Sequence, residues 1–271
     1  MRLVPFFCVL LACTPAPQDS ADPGLADAVV PTNGGSGPTG GNPAGNGQDA
    51  DDDVDSDGDG YSDADELHAG TDPDDPDSVI YECGWPYNAN KDALDDPGFT
   101  GTPLTIGATM PRHVGMDHCG DQLDLYDFAG QGKLTVLDSS TGWCTPCKDI
   151  ADWLAHGEQA SASLEADFQP LREAVERGDI QWVTLLVDGV VGGTVASLDE
   201  LQDWESSYPH ERIPVVNDPD DEVTPVLNSM EGGGYSFPRF ALVDENMEAV
   251  ETGSYLEFLA AANEWALALA E

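Results

Sequence analysis

The sequence predicts an α/β fold in three layers, with a central mixed sheet between flanking helices. Strand-like and helix-like segments alternate through residues 104–271 in the order β-α-β-α-β-β-α. Two cysteines, Cys144 and Cys147, stand where a predicted strand turns into a predicted helix. The same segment is long enough to bury a single core of ordinary size.

Each element follows from a local pattern. Residues 180–187 end in an uninterrupted apolar run, which is typical of a buried strand. Ser197 and Glu200 have the spacing of a capping box and predict the start of a helix. Residues 156–167 are interpreted as an insertion within or after the first helix. The predicted strands are residues 123–128, 133–138, 180–187, 213–216, 240–243 and 248–252. Three helices are predicted: one begins at residue 147, one begins at residue 197, and the last covers residues 256–270.

The chemistry of the chain centres on the run Trp143-Cys144-Thr145-Pro146-Cys147-Lys148. A helix N-terminus offers unpaired N–H groups and a positive dipole end, which stabilise the thiolate form of Cys144. Cys147 lies one helical turn deeper, where it can attack a mixed disulfide on Cys144. A structural zinc site is the alternative, but it needs a second Cys-x-x-Cys or a His pair, which the sequence does not offer.

Two further residues fit this chemistry. Asp138 ends an apolar strand six residues before Cys144. Burial there would raise its pKa, so that the carboxylate could take the proton of Cys147. Pro238 stands at the mouth of a predicted strand and is a candidate for a cis peptide bond that shapes a turn beside the cysteines.

At this point the chain resembles the thioredoxin superfamily, and within it the extracytoplasmic TlpA-like thiol-disulfide oxidoreductases. The likeness covers roughly residues 104–271, and its motifs are Gly107-Ala108 with Pro111, residues 123–130, the Cys turn and the proline before a strand. It implies a thioredoxin-like fold, a disulfide-containing client protein, a membrane or periplasmic redox partner and no organic cofactor. It also implies that the protein reduces its client rather than oxidises it. Polar residues 139–142 depart from the family pattern, and we expect them to hydrate the site and weaken the rise in the pKa of Asp138.

The N-terminal region predicts export. Residues 1–12 carry one positive charge and a short apolar stretch, as in a signal peptide, and Cys13 follows. Residues 10–13 resemble the lipobox of bacterial lipoproteins, which implies a lipid anchor at Cys13 on a cell-envelope membrane, facing the periplasm or the exterior. An ordinary signal with an incidental Cys13 is the alternative. Residues 13–50 are expected to be a disordered tether.

Two more cysteines, Cys83 and Cys119, lie outside the Cys turn. Cys83 belongs to a predicted extension over residues 81–103. In an oxidising compartment the two can close a structural disulfide. A second redox relay is the alternative, although neither cysteine starts a helix.

Residues 51–80 predict a calcium-binding loop. Alternate acidic side chains converge on one hard cation in such twelve-residue loops, and a glycine at the sixth position permits the sharp turn. Residues 67–73 resemble thrombospondin type 3-like calcium repeats, and an acidic linker with solvated charges is the alternative. We expect a structural Ca²⁺ rather than a sensor. The candidate ligands are Asp55, Asp57, Asp59, Asp63 and Glu66 through carboxylates and Tyr61 through its carbonyl.

The net charge of −43 over 271 residues excludes nucleic acid as a partner, since no basic patch is available to neutralise phosphates. It suggests a salty exterior or a cationic partner. Nothing in the sequence demands more than a monomer.

The leading hypothesis is a thiol-disulfide oxidoreductase that uses Cys144 and Cys147. A thiol peroxidase is one alternative: Thr141 precedes Cys144 by three residues, as in peroxiredoxins, but Leu137 stands where their motif needs proline. A Cu(I)-carrying module of the same fold is the other, although such carriers generally use Cys-x-x-x-Cys with a nearby histidine. His113, His118, His156 and His210 form no motif.

Overall fold

The computed structural model describes residues 54–58, 61–76, 78–230 and 234–270. The predicted signal peptide at 1–12, Cys13 and the tether at 13–50 lie outside the described residues, and so does Asp59. No helix in the described ranges combines the length and the hydropathy that crossing a membrane requires.

The structure is a mixed sheet with helices packed on it, as the sequence predicts. A sheet of five strands has the order β5-β4-β3-β6-β7, and a small hairpin pairs β1 with β2. The strands are β1 Val114–Met116, β2 Gln122–Asp124, β3 Leu134–Thr141, β4 Ile180–Asp188, β5 Val215–Asn217, β6 Arg239–Val243 and β7 Ala249–Ser254. The helices are α1 Asp63–Ala69, α2 Thr145–His156, α3 Ala162–Arg177, α4 Leu198–Ser207, α5 Val223–Leu227 and α6 Tyr255–Leu269.

Strand β3 is the centre of the sheet. It pairs in parallel with β4 and antiparallel with β6, so both of its edges are hydrogen-bonded. Its residues from 135 to 141 are all buried. The ladder with β4 runs to Thr141 and the ladder with β6 runs to Ser139, so neighbouring strands hold β3 almost to its end.

The two faces of the sheet are covered in different ways. Helices α2, α3 and α6 cover one face, where Val136, Trp182 and Phe240 pack against Trp153 and Phe258. The rings of Phe240 and Phe258 stack with centroids 4.8 Å apart. The opposite face is covered by α5, by a 3₁₀ turn at Leu125–Phe128 and by irregular chain from residues 85–104, including Trp85, Leu94, Phe99 and Leu104.

One prediction about the elements is wrong. Residues 123–128 are extended only as far as Asp124, because the Asp124 side chain accepts the N–H of Tyr126 at 2.9 Å and starts a 3₁₀ turn. Residues 156–167, interpreted as an insertion, contain the end of α2, a 3₁₀ turn at Gly157–Gln159 and the start of α3, which Ser161 caps. Pro170 and the non-helical Phe168 mark a kink that interrupts the helical pattern of the sequence.

The extension at 81–103 is anchored by a buried cation. Lys91 is buried and places its Nζ 2.9 Å and 2.8 Å from the two carboxylate oxygens of Asp127. The Tyr81 hydroxyl donates to the same carboxylate at 2.5 Å. Burial raises the pKa of Asp127, while Lys91 and Tyr81 act in the opposite direction. The ion pair thus compensates a carboxylate that would otherwise be costly to bury.

Replacing Lys91 with alanine is expected to lower the free energy of unfolding at pH 7 by about 3 kcal/mol, because Asp127 is left buried without its cation. The loss should shrink at acid pH as Asp127 becomes protonated. Urea unfolding at both pH values measures it, with the exposed Lys133→Ala as the matched control. Equal stability of the two variants would contradict the role of this ion pair.

Candidate active site

The Cys turn lies directly beyond the end of β3. Strand β3 ends at Thr141, and the N–H of Cys144 donates to the Thr141 carbonyl at 3.1 Å. Gly142 permits the turn to pass close to the chain that follows β4. A Cβ atom at this position would lie 2.7 Å from the carbonyl carbon of Gly189, so no other residue fits without moving the backbone.

Cys144 is the N-cap of α2. Its Sγ accepts the N–H of Cys147 at 3.2 Å, and the first turn of the helix carries no acidic side chain. Pro146 stands in that turn, where its missing N–H costs no hydrogen bond. Cys144 and Cys147 form a disulfide, with Cα atoms 5.3 Å apart. Cys144 is 4% exposed and Cys147 is fully buried, so Cys144 carries the outer sulfur.

Asp138 is buried on the sheet face that carries Cys147. Side chains alternate along β3, and Asp138 shares the face of Val136, which α2 covers. Burial raises the pKa of Asp138 from 3.8 to about 7, although the Ser140 hydroxyl donates to its carboxylate at 2.8 Å and acts in the opposite direction. This carboxyl can therefore gain or lose a proton near neutral pH.

The expectation of a hydrated site is wrong. Ser139, Ser140 and Thr141 are fully buried, because strands lie on both sides of β3. Ser139 donates to the Asn228 side chain at 2.7 Å, and Ser140 donates to Asp138, so both hydroxyls are satisfied inside the protein. The polar residues of this segment leave the environment of Asp138 dry.

Pro238 meets the Cys turn from the neighbouring strand. The Phe237–Pro238 peptide bond is cis, as predicted, and β6 begins at the next residue. That residue, Arg239, pairs with Ser139 near the end of β3. The ring of Phe237 contacts that of Trp143 edge to face, with centroids 5.5 Å apart. The structure thus brings together the cysteine pair, Asp138 and Pro238.

A loop that sequence analysis did not single out completes the site. Residues 189–195 pass beside Trp143, and Val190 and Val191 are both more than 60% exposed. The Glu200 carboxylate accepts the N–H of Val190 at 2.8 Å and also closes the predicted capping box of α4. The capping pattern was visible in the sequence, but the second acceptor role of Glu200 has no local signal.

The candidate calcium ligands lie around the start of α1. Asp63 accepts the N–H and the hydroxyl of Ser56, both at 2.8 Å, and Asp55 accepts the N–H of Gly58 at 2.7 Å. Glu66 is fully buried, whereas Tyr61 and Asp55 are exposed. These carboxylates offer only oxygen atoms, which are the ligands that Ca²⁺ prefers.

The other two cysteines among the described residues also pair. Cys83 and Cys119 form a disulfide with Cα atoms 6.1 Å apart, and both residues are half-buried. His118 lies beside this bond, and the other three candidate histidines do not. His113 is buried against the Asn217 carbonyl at 2.9 Å, and His156 pairs with Asp152 on the surface.

The sequence profile of the bacterial TSP3 repeat matches residues 55–76. These residues therefore form a repeat of the bacterial TSP3 type. No curated protein matches the chain.

Several solved structures are similar to this chain. The thioredoxin domain of a thiol-disulfide oxidoreductase from Bacteroides vulgatus is 18% identical over 60% of this chain and 97% of that chain, with a TM-score of 0.42. A thiol:disulfide interchange protein from a Bacteroides species is 17% identical over 60% of this chain and 91% of that one, with a TM-score of 0.41. Copper-bound ScoI from Arabidopsis thaliana is 14% identical over 61% of this chain and 98% of that one, with a TM-score of 0.40. Such distant likenesses do not decide the chemistry, and the thioredoxin-like fold is recognised from the strand order and the Cys turn after β3.

Replacing Asp138 with asparagine is expected to stabilise the oxidised protein by about 3 kcal/mol at pH 8 and by almost nothing at pH 4. Because burial raises the folded-state pKa from 3.8 to about 7, the folded state binds this proton more tightly than the unfolded chain. The stability that protonated Asp138 contributes is therefore lost as the pH rises from 3.8 through about 7. Asparagine cannot ionise, so the variant does not suffer this loss.

Urea unfolding of the oxidised protein at the two pH values measures the difference. Asp149→Asn, an exposed position on α2, is the matched control and should change little. A gain at pH 8 that persists unchanged at pH 4 would contradict the raised pKa.

Proposed function

We propose that the protein is a thiol-disulfide oxidoreductase that reduces disulfides in exported client proteins. The observation that carries this proposal is the state of Cys144. It caps α2, its sulfur accepts the N–H of Cys147, and it is bonded to Cys147 with only its own sulfur near the surface. One partner-facing sulfur and one buried sulfur are what a two-step exchange requires.

The reaction would begin from the dithiol form. The Cys144 thiolate attacks one sulfur of the client disulfide, and the other client sulfur leaves as a thiolate and takes a proton from water. Cys147 then attacks the Sγ of Cys144 and releases the second client thiolate. The client gains two electrons and two protons, and the protein is left with the Cys144–Cys147 disulfide described above.

Asp138 would manage the proton of Cys147. The buried thiol must lose its proton before it attacks, and the surroundings exclude bulk water. A carboxylate on the same sheet face with a pKa of about 7 can accept that proton at neutral pH. Such a base speeds the attack of Cys147, which is the step that completes reduction, and the reverse step equally. The reductive direction is proposed from the resemblance to the TlpA-like oxidoreductases.

The client would bind across the rim of the Cys turn. Trp143 is 48% exposed and stands between Phe237 and the loop that carries Val190 and Val191. These side chains present apolar surface around the outer sulfur, which suits an unfolded or flexible client segment. Backbone groups near Phe237 and Pro238 would hold that segment in an extended form.

The extracytoplasmic location is also a proposal. A second disulfide between Cys83 and Cys119 fits an oxidising compartment, because structural disulfides are rare where thiols are kept reduced. A membrane or periplasmic dithiol protein would then have to recycle Cys144 and Cys147. The lipid anchor at Cys13 stays a prediction from the sequence.

The alternative functions have weaker support. Among the described residues, the group of Cys, His and acidic side chains close enough to share a metal comprises Cys83, His118 and Cys119, and it does not include Cys144. A Cu(I) carrier would need such ligands at the exchanging pair. For a peroxidase, the buried Leu137 stands where the peroxiredoxin motif requires proline.

We further propose that the TSP3 repeat binds one structural Ca²⁺. The candidate ligands offer oxygen atoms alone, and Glu66 at the twelfth position is fully buried within α1. When bound, the ion would neutralise these carboxylates and hold the loop before α1 in one conformation.

Replacing Cys147 with serine is expected to trap a covalent complex with a peptide that contains one internal disulfide, because the second attack is lost. Replacing Cys144 with serine should abolish the complex, since Cys147 is fully buried. Reduced variants are mixed with the peptide, quenched with acid and analysed by mass spectrometry. Complex formation by both variants, or by neither, would contradict the assigned roles.

Replacing Glu66 with glutamine is expected to weaken Ca²⁺ binding at least tenfold, because the last ligand of such loops contributes both carboxylate oxygens. Isothermal titration calorimetry with Ca²⁺ measures this. The exposed Glu82→Gln is the matched control and should bind as the parent does. Equal affinities for the two variants would rule out Glu66 as a ligand.

A further inference from the structure

The disulfide between Cys83 and Cys119 is held by a rigid polar frame. Asp117 is fully buried, and its Oδ1 accepts the N–H groups of Cys119, Gly120 and Asp121 at 2.8–2.9 Å. Its Oδ2 accepts the indole N–H of Trp85 at 2.6 Å. The Asp117 carboxylate therefore fixes the loop that carries Cys119, and it also fixes Trp85, which lies two residues after Cys83.

His118 lies between this disulfide and the edge strand β5. Its Nδ1 accepts the backbone N–H of Val215 at 3.2 Å. Its Nε2 lies 3.6 Å from the Sγ of Cys83. Because Nδ1 uses its lone pair as an acceptor, the hydrogen of the neutral ring must be on Nε2. The Nε2–H group therefore faces the Sγ of Cys83. Burial lowers the pKa of His118, although the charges of Asp117 and Glu205 act in the opposite direction.

The same atoms could be considered as a metal site. Ligand atoms of Cys83, His118 and Cys119 all lie within 4.8 Å of one another. A zinc or copper ion would need the lone pair of Nε2. That nitrogen carries the hydrogen as long as Val215 donates to Nδ1, so the ring is arranged to donate a hydrogen bond and not to bind a metal.

We propose that Cys83 and Cys119 form a second thiol-disulfide exchange site with a fixed polarity, in which Cys119 is attacked and Cys83 leaves. The Nε2–H of His118 stabilises the thiolate that forms on Cys83, and a sulfur that leaves more readily directs the incoming thiol to its partner. The proposal goes beyond the function assigned to Cys144 and Cys147 and does not depend on it.

The partner is a dithiol protein. Its first thiolate attacks the Sγ of Cys119, the bond between Cys119 and Cys83 breaks, and the electron pair goes to Cys83, which then takes a proton from water. The second thiol of the partner loses its proton and attacks the partner's own sulfur in the mixed disulfide, which releases Cys119 as a thiolate. The partner is oxidised to a disulfide, and Cys83 and Cys119 are reduced to thiols.

The frame also keeps the site intact when the bond is open. Trp85 stays hydrogen-bonded to Asp117, and Tyr81 stays hydrogen-bonded to Asp127. Both contacts flank Cys83 in sequence, so its sulfur remains close to Cys119 after reduction. The site can therefore close again, as a reversible centre requires.

The test uses the full chain with Cys144→Ser and Cys147→Ser, so that its outcome is separate from that of the proposed function. The folded protein is treated with glutathione, quenched with an alkylating agent and mapped by mass spectrometry. We expect glutathione on Cys119 and an alkylated thiol on Cys83. Glutathione mainly on Cys83, or no reaction without denaturant, would overturn the proposal.

Two variants of His118 isolate the hydrogen bond to sulfur. His118→Asn can still accept the Val215 N–H but has no donor that reaches Cys83, and we expect reduction by dithiothreitol to slow about tenfold. His118→Gln places an amide N–H near the Nε2 position and should restore most of the rate. The exposed His156→Asn is the matched control. Equal rates for all variants, or Zn²⁺ binding by the reduced protein that His118→Asn abolishes, would overturn the proposal.

Discussion

The candidate site depends on the pairing of the central strand β3 along both of its edges. Parallel pairing with β4 runs to Thr141, with a register shift after Ser140, and antiparallel pairing with β6 runs to Ser139. The same two ladders bury Asp138, place Cys144 at the start of α2 and bring the chain after Pro238 alongside Ser139. The dry carboxyl of Asp138 and the position of the outer sulfur, on Cys144, therefore come from one constraint, since the strand that buries Asp138 also leads directly into the Cys turn.

Much of this arrangement could be predicted from the sequence, because its signals are local. The Cys turn, the capping box of α4 and the hairpin of β6 and β7 depend on residues within a few positions of one another. The burial of Ser139 and Ser140 could not be predicted in this way, because polar side chains give no sign of the partners they meet in space. Those partners are Asn228 and Asp138, and the first of them lies 89 residues away in the chain. Helix α3 was missed for a related reason, since Pro170 and the kink at Phe168 disturb its period.

The second face of the sheet shows how an irregular segment can replace a helical layer. The chain from Tyr81 to Leu104 contributes apolar side chains to the core, but buried charge fixes its course. Lys91 meets Asp127, and the Arg112 guanidinium meets Asp124 at 2.6 Å. In a chain with a net charge of −43, few cations are available, and these two pair with the buried carboxylates of Asp127 and Asp124. The acidic surface is left largely without compensation, which favours solubility and repels other acidic molecules.

The bond between Cys83 and Cys119 also sets the route by which mechanical load enters the domain. A pull applied along the chain from the N-terminal side reaches Val79 and the Tyr81 hydrogen bond before it reaches Cys83. While the bond is closed, tension crosses covalently to Cys119, and the 35 residues between the two cysteines carry none of it. Once the bond is open, the same tension must first break the hydrogen bond between Trp85 and Asp117, and it then passes through Lys91 and the hairpin of β1 and β2. The redox state of one cysteine pair would thus decide whether a stretched chain strains the face of the sheet or leaves it at rest.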